Sequence, residues 1–251
     1  RFSSGAAGLA GAEAAPFRVW LDDWFVEEIE PGVYRLYASQ DGLTLDLQLA
    51  DRKGPVLQGD QGYSQKGPAP GNASYYYSLT RLESSGTVRV DGASYSIVGL
   101  SWMDHEFSTS ALAPDQVGWD WFSLQLDDGS ELMVFNIRKA DGSVDPFSSG
   151  AFIAPDGSAR RLAQGDFKIE VGDTWRSPRS GAVYPARWTV RVPSVGLTLE
   201  VEPYLADQEL NVSYSYWEGA VRFEGERDGR IVSGSGYVEL TGYAGSMQGQ
   251  F

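Results

Sequence analysis

Three features of this 251-residue chain predict an all-β fold of antiparallel strands. Six Asp-Gly pairs, beginning at Asp41, Asp91, Asp128, Asp141, Asp156 and Asp228, punctuate it at intervals. The short segments between them are rich in Val, Ile, Tyr, Trp and Thr, and only one stretch invites a helix. Asp-Gly tolerates the positive φ angles of tight hairpin turns, so a run of such pairs between β-forming segments reads as a succession of hairpins.

In chain order, the alanine-rich stretch 6–15 is the one helical candidate, and its glycines weaken it. Residues 43–49 read as a strand. Residues 51–74 form a long Gly/Pro-rich connection, after which Tyr75-Tyr76-Tyr77-Ser78-Leu79 resumes a strand. A fresh meander begins with 87–90 and 95–100, which places a domain junction near residue 82 and divides the chain into 1–82 and 83–251. Further strands are expected at 122–126, 132–138, 188–192, 197–201 and 236–241. Strands at this spacing with tight turns suggest antiparallel sandwiches or barrels.

Composition narrows the function. The net charge is −14, with 34 acidic against 20 basic residues and no long run of one sign. Phosphate backbones and anionic lipid would repel such a chain, so no nucleic-acid partner is expected and the balance fits a soluble protein. With no cysteine and one histidine, thiolate metal sites, cysteine nucleophiles and multi-histidine sites are excluded, and neither metal nor cofactor is expected. No stretch approaches eighteen apolar residues, so no transmembrane segment is expected. The chain opens at Arg1 without a signal-peptide pattern and reads as a mature or trimmed product. A periplasmic or cell-envelope location is favoured over the cytoplasm.

The candidate site lies between Ser101 and Arg138. Asp104, Glu106, Asp120 and the only histidine, His105, sit there among Trp102, Trp119 and Trp121. Acids among aromatic rings are costly to keep charged, so they either carry chemistry or are tied down by partners. Strand alternation puts Trp102, Asp104 and Glu106 on one face and His105 on the other, with the two acids roughly 7 Å apart. Asp120 shares a face with Phe122, Leu124 and Leu126, while Trp119 and Trp121 point the opposite way. A carboxyl group that loses hydration holds its proton to neutral pH and can act as a general acid. On that reading Asp104 is a buried, proton-bearing acid beside an apolar cavity, with Glu106 and Asp120 in support. On the competing reading each acid accepts backbone or tryptophan N–H bonds at a strand end. His105 reads as a structural or rim residue. With the tryptophans, Tyr75, Tyr77 and Tyr237 would suit the lining of a cavity for an extended apolar ligand.

Several longer motifs carry a resemblance. Phe2-Ser3, Gly8-Leu9-Ala10-Gly11-Ala12, Val19-Trp20-Leu21-Asp22-Asp23-Trp24, Pro55-Val56-Leu57-Gln58-Gly59-Asp60, Ala73-Ser74-Tyr75-Tyr76-Tyr77-Ser78, Trp102-Met103-Asp104-His105-Glu106, Gly118-Trp119-Asp120-Trp121-Phe122, Tyr216-Trp217-Glu218-Gly219-Ala220 and the block from Gly236 to Tyr243 run nearly end to end. In this order they resemble the AttH-like, carotenoid 1,2-hydratase-related proteins. The resemblance implies two packed lipocalin-like β-barrel halves, with 1–82 the later part of a first barrel that a segment outside this chain would complete, and 83–251 the second. It also implies that Asp104 stands where the hydratases carry their proposed proton donor, although Trp102 replaces a Tyr and Glu106 an Asn. The expected activity is acid-catalysed hydration, dehydration or cyclisation of an isoprenoid- or polyene-like molecule. A non-catalytic carrier of lipid-like ligands in the cell envelope and a glycoside hydrolase or sugar-binding sandwich are the alternatives.

Overall fold

A computed structural model describes residues 8–108, 112–212 and 215–247. It is all-β and antiparallel. In chain order the strands are β1 (Ala10–Ala14), β2 (Phe17–Leu21), β3 (Trp24–Glu30), β4 (Val33–Gln40), β5 (Leu43–Asp51), β6 (Val56–Leu57), β7 (Tyr63–Gln65), β8 (Ala73–Val90), β9 (Ala93–Ser108), β10 (Gln116–Leu126) and β11 (Glu131–Lys139). They continue with β12 (Ser149–Ile153), β13 (Ala159–Ala163), β14 (Lys168–Val171), β15 (Thr174–Arg176), β16 (Val183–Pro185), β17 (Trp188–Val192), β18 (Leu197–Pro203), β19 (Glu209–Asn211), β20 (Ser215–Arg227) and β21 (Arg230–Leu240). Every strand expected from the sequence falls within one of these, except that 236–241 runs one residue past the end of β21. Among the described residues no helix is long and apolar enough to cross a membrane.

The Asp-Gly pairs divide into two kinds, and the following residue tells them apart. At Asp41-Gly42, Asp91-Gly92 and Asp228-Gly229 both residues have positive φ, from 47° to 86°, as a two-residue hairpin requires. Where serine follows, at Ser130, Ser143 and Ser158, only the glycine is left-handed. There Asp128, Asp141 and Asp156 each accept the N–H of that serine at 2.9 Å and its hydroxyl at 2.5–2.6 Å, an Asx-type closure.

Two compact units interleave along the chain. The first takes the described residues up to Pro55 together with Leu79–Met103; the second takes Val56–Ser78 and the described residues from Asp104 onward. In the first, β1 to β5 form a meander, and β5 pairs with the Leu82–Val90 part of β8. Leu49, Leu79 and Leu82 are buried there, with Tyr34, Leu36, Leu47 and Met103 packed around them. The helical candidate is corrected here: residues 10–14 are β1, and Ala6 and Ala7 lie outside the described residues. Pairing with β2 decides the matter. Gly11 stands opposite Trp20, so close that a Cβ would lie 2.4 Å from the indole ring.

In the second unit the connection at 51–74 proves to contain β6 and β7, which add to the Ala73–Ser78 part of β8. The larger sheet runs β13-β12-β11-β10-β21-β20-β18-β17-β14, with β19 also on β20. Strict alternation sends one face of these strands inward. Phe122, Leu124, Trp188, Val190, Leu199, Val201, Trp217, Val221, Phe223, Val238 and Leu240 are at most 2% exposed. The same cluster includes Phe152 of β12 and Leu162 of β13, so side chains from both ends of the sheet meet and the sheet curls around its core. Each such side chain contributes about 1.5–3 kcal/mol when fully buried.

Candidate active site

The opposite face of β10 and β21 carries polar groups among rings. Trp119 and Trp121 alternate with the buried residues of β10, and Tyr237 and Glu239 with those of β21; Trp121 and Glu239 are direct cross-strand partners. Within the same unit Asp104 and Glu106 of β9 and Ser74, Tyr76 and Ser78 of β8 stand on one face, as alternation requires. A cleft of about 520 Å³ is lined by Asp104, Glu106, Glu239, Tyr76, Trp119 and Trp121, with Lys66, Phe135 and Ile137 among its other walls. That is the volume of a small-molecule site.

The three acids of this cleft are held differently. Ser78 donates its hydroxyl to Asp104 at 2.5 Å, and the nearly buried Tyr76 hydroxyl donates to the same carboxylate while accepting Trp121 Nε1 at 3.2 Å. Burial, then the charges of Asp104 and Glu106, push the Tyr76 phenol well above its ordinary range. Glu106 Oε1 accepts Ser74 Oγ at 2.5 Å and faces Lys66 Nζ at 3.0 Å.

Glu239 is the exception. Among the described residues its carboxyl accepts one hydrogen bond, a long contact from Trp119 Nε1 at 3.4 Å. Burial pushes its carboxyl up to about 7; the indole N–H opposes this, and the charges of Glu218, Asp104 and Glu106 add to it. Glu218 is its direct partner on β20 and is itself raised by burial. At neutral pH Glu239 is therefore poised between holding and releasing a proton.

The expected site residues separate accordingly. Asp104, Glu106, Trp119 and Trp121 come together. The expectation that Asp104 is buried is corrected: it is solvent-exposed and accepts hydroxyl donors, and the half-buried acid of the same cleft is Glu239. Asp120 points to the other face of β10. Its carboxylate meets Arg138 Nε at 3.0 Å and the Tyr243 hydroxyl at 3.1 Å, and the Arg138 guanidinium also stacks 3.9 Å from the Tyr243 ring centroid and binds the Thr241 carbonyl. Burial raises the Asp120 carboxyl against the pull of Arg138. This cluster ties the start of β10 to the end of β21 and so fixes where Trp119 stands.

Tyr75, Tyr77 and His105 lie on the faces of β8 and β9 that alternate away from Tyr76, Asp104 and Glu106. There Tyr77 meets His105 Nδ1 at 3.1 Å, and Tyr75, His105 and Phe107 form an exposed run of rings. Tyr237 shares the face of Glu239, and burial, with the charges of Glu218 and Glu239, pushes its phenol up to about 12. Trp102 is half-buried in the first unit. The residues that sequence reasoning passed over are Glu239, Tyr76 and Lys66. The alternation of Tyr237 and Glu239 with Val238 and Leu240 was a usable signal, because it sets an acid on the face that Trp121 occupies one strand away. Among the described residues no group of three or more His, Asp or Glu side chains is placed to hold a metal ion.

Comparison with known proteins converges on one family. The AttH-like family model matches residues 1–243. A crystal structure of a Nitrosomonas europaea protein assigned to AttH superposes with a TM-score of 0.82 at 39% identity, covering 90% of this chain and 69% of that one. Kievitone hydratase from Nectria haematococca shares the fold, with a TM-score of 0.71 at 19% identity over 90% of this chain and 70% of its own. Dehydratase asqC of Emericella nidulans is 23% identical over 218 residues, which is 82% of this chain; the chain spans only 60% of that relative's length. With the family model spanning nearly its whole length, the chain belongs to the AttH-like family.

Proposed function

We propose that the cleft adds water to, or removes it from, an unsaturated and largely apolar small molecule by acid–base catalysis. The observation that carries this reading is three carboxyl groups brought to one cleft with different partners: Glu239 is pushed up to about 7 beside one long indole donor, while Ser78 donates to Asp104 and Ser74 and Lys66 meet Glu106. Environments that drive neighbouring carboxyl groups apart are how one site holds both a general acid and a general base. In dehydration, Glu239 gives its proton to the departing hydroxyl as the C–O bond breaks. Asp104 takes a proton from the adjacent carbon, whose electron pair becomes the double bond, and water leaves. Hydration is the reverse. The faces of Trp119 and Trp121 flank positive charge developing on carbon. Exposure of Asp104 lets solvent return the proton between turnovers. The names of kievitone hydratase and dehydratase asqC cover both directions of such a reaction, which supports the reading.

The test is exchange of ¹⁸O from labelled water into a panel of isoprenoid tertiary alcohols and β-hydroxy ketones. Exchange with one of them is expected, and both Glu239→Gln and Asp104→Asn should slow it by about 10²–10⁴-fold, the usual contribution of a general acid or base. A wild-type protein that retains a bound lipid-like molecule in native mass spectrometry yet exchanges nothing is a carrier, and the catalytic reading then fails.

A further inference from the structure

The cation in the cleft has no role in the proton transfers above, yet its placement is elaborate. Lys66 follows β7 on the loop to β8. Its N–H donates to the Asn72 carbonyl at 2.8 Å, and its own carbonyl accepts Gln116 Nε2 at 2.8 Å. Gln116 is fully buried and also binds Asp145 and the Ala113 N–H, so the loop is clamped from below. The lysine side chain is only 13% exposed, and its ammonium lies 4.1 Å from the ring centroid of Phe135 and 5.4 Å from that of Tyr76. From there it meets Glu106 Oε1 at 3.0 Å, the oxygen that Ser74 also binds.

We propose that Lys66, through its ion pair with Glu106, is a positioning residue that sets how firmly Glu239 holds the site's proton. The inference rests on the acid role given to Glu239 above. Glu239 is faced by Asp104 and Glu106 from β9, by Glu218 from β20, by Tyr237 on its own strand and by the Trp119 N–H from β10. All the charged neighbours in that set are acidic. Unopposed, their fields would hold the proton on Glu239 too tightly for a donor working near neutrality. Lys66 opposes the field of Glu106, whose charge still adds to that of Asp104 on Glu239, and leaves Asp104 itself to the reaction. The pair thus trims proton affinity without adding a competing base, because Glu106 stays occupied by Lys66 and Ser74.

The experiment is a ¹³C NMR titration of the full chain labelled with carboxyl-¹³C glutamate, the Glu239 signal being assigned by its loss in Glu239→Gln. Lys66→Met should move the Glu239 midpoint up by about one pH unit, and Glu106→Gln should move it down by a similar amount. The double variant should return close to the wild-type midpoint, and Lys66→Arg, which keeps the charge, should leave it in place. Single variants that leave the midpoint unmoved, or shift it in the same direction, overturn the inference. A wild-type Glu239 that titrates in the ordinary carboxylate range instead removes the acid role itself, so the two failures are distinguishable.

Discussion

Glu209 and Glu239 lie in the same unit, on strands that both join β20 or its neighbour, and the protein treats them in opposite ways. The Glu209 side chain is fully buried, yet it accepts hydroxyls from Ser177 at 2.6 Å, from Ser180 and from Tyr184 at 2.9 Å, with Asn211 Nδ2 at 3.3 Å and Arg179 Nε at 3.6 Å. Burial by itself would raise this carboxyl; the serine and tyrosine hydroxyls reverse the effect and hold it at about 2. Glu239 has one long indole contact and acidic neighbours, and rises to about 7. Both lose hydration, Glu209 buried and Glu239 half-buried. Donors decide which acid is a structural pin, here fastening the β15–β16 hairpin to β19, and which is kept ready to exchange a proton.

Breaking the pin has the largest expected effect on stability. Glu209→Ala strands several buried donors, each costing about 1–3 kcal/mol when unsatisfied, so a loss on the order of 3 kcal/mol is expected in denaturant unfolding. A variant as stable as wild type would mean that the hydroxyls simply turn to water. The sign with pH also follows. A carboxyl depressed to about 2 stabilises the fold above its unfolded value near 4.5, and that contribution fades as pH falls from 4.5 through 2. Glu209→Gln should flatten this acid limb.

Glu239 runs the other way. Its folded value of about 7 lies above the unfolded 4.5, so the fold loses stability as pH rises between them, on the order of 3 kcal/mol at ~1.4 kcal/mol per pH unit. Above pH 7 Glu239→Gln should therefore be more stable than wild type while turnover collapses, a pairing expected where a site is held at a cost in stability. Equal unfolding curves at pH 8 would argue against a strained acid. The smallest effect belongs to Trp119→Phe: loss of a 3.4 Å N–H contact should raise the Glu239 midpoint by less than about one pH unit, readable in the same ¹³C titration.

Much of this molecule was legible in its residues. Segments rich in β-forming residues located the strands, and period-two alternation set Asp120 with Phe122 and Leu124, apart from Trp119 and Trp121, as the structure has it. The same rule put His105 on the face away from Asp104 and Glu106. Asp-Gly pairs marked turns; that those followed by serine close differently emerged in the structure. The alanine-rich beginning misled because alanine has a high intrinsic helix propensity, which pairing with β2 overrode.

What the linear order could not show is which carboxyl of the cleft is pushed upward. Asp104 and Glu239 are 135 positions apart in a chain where each looks like an ordinary strand acid. Their difference arises when β8, β9, β10, β20 and β21 bring Ser78 and Tyr76 to one and, among the described residues, the Trp119 indole and further acids to the other. Strand, turn and face are local properties, written in neighbouring residues. Proton affinity depends on the desolvation and donors supplied by distant segments, and only the folded arrangement assembles them.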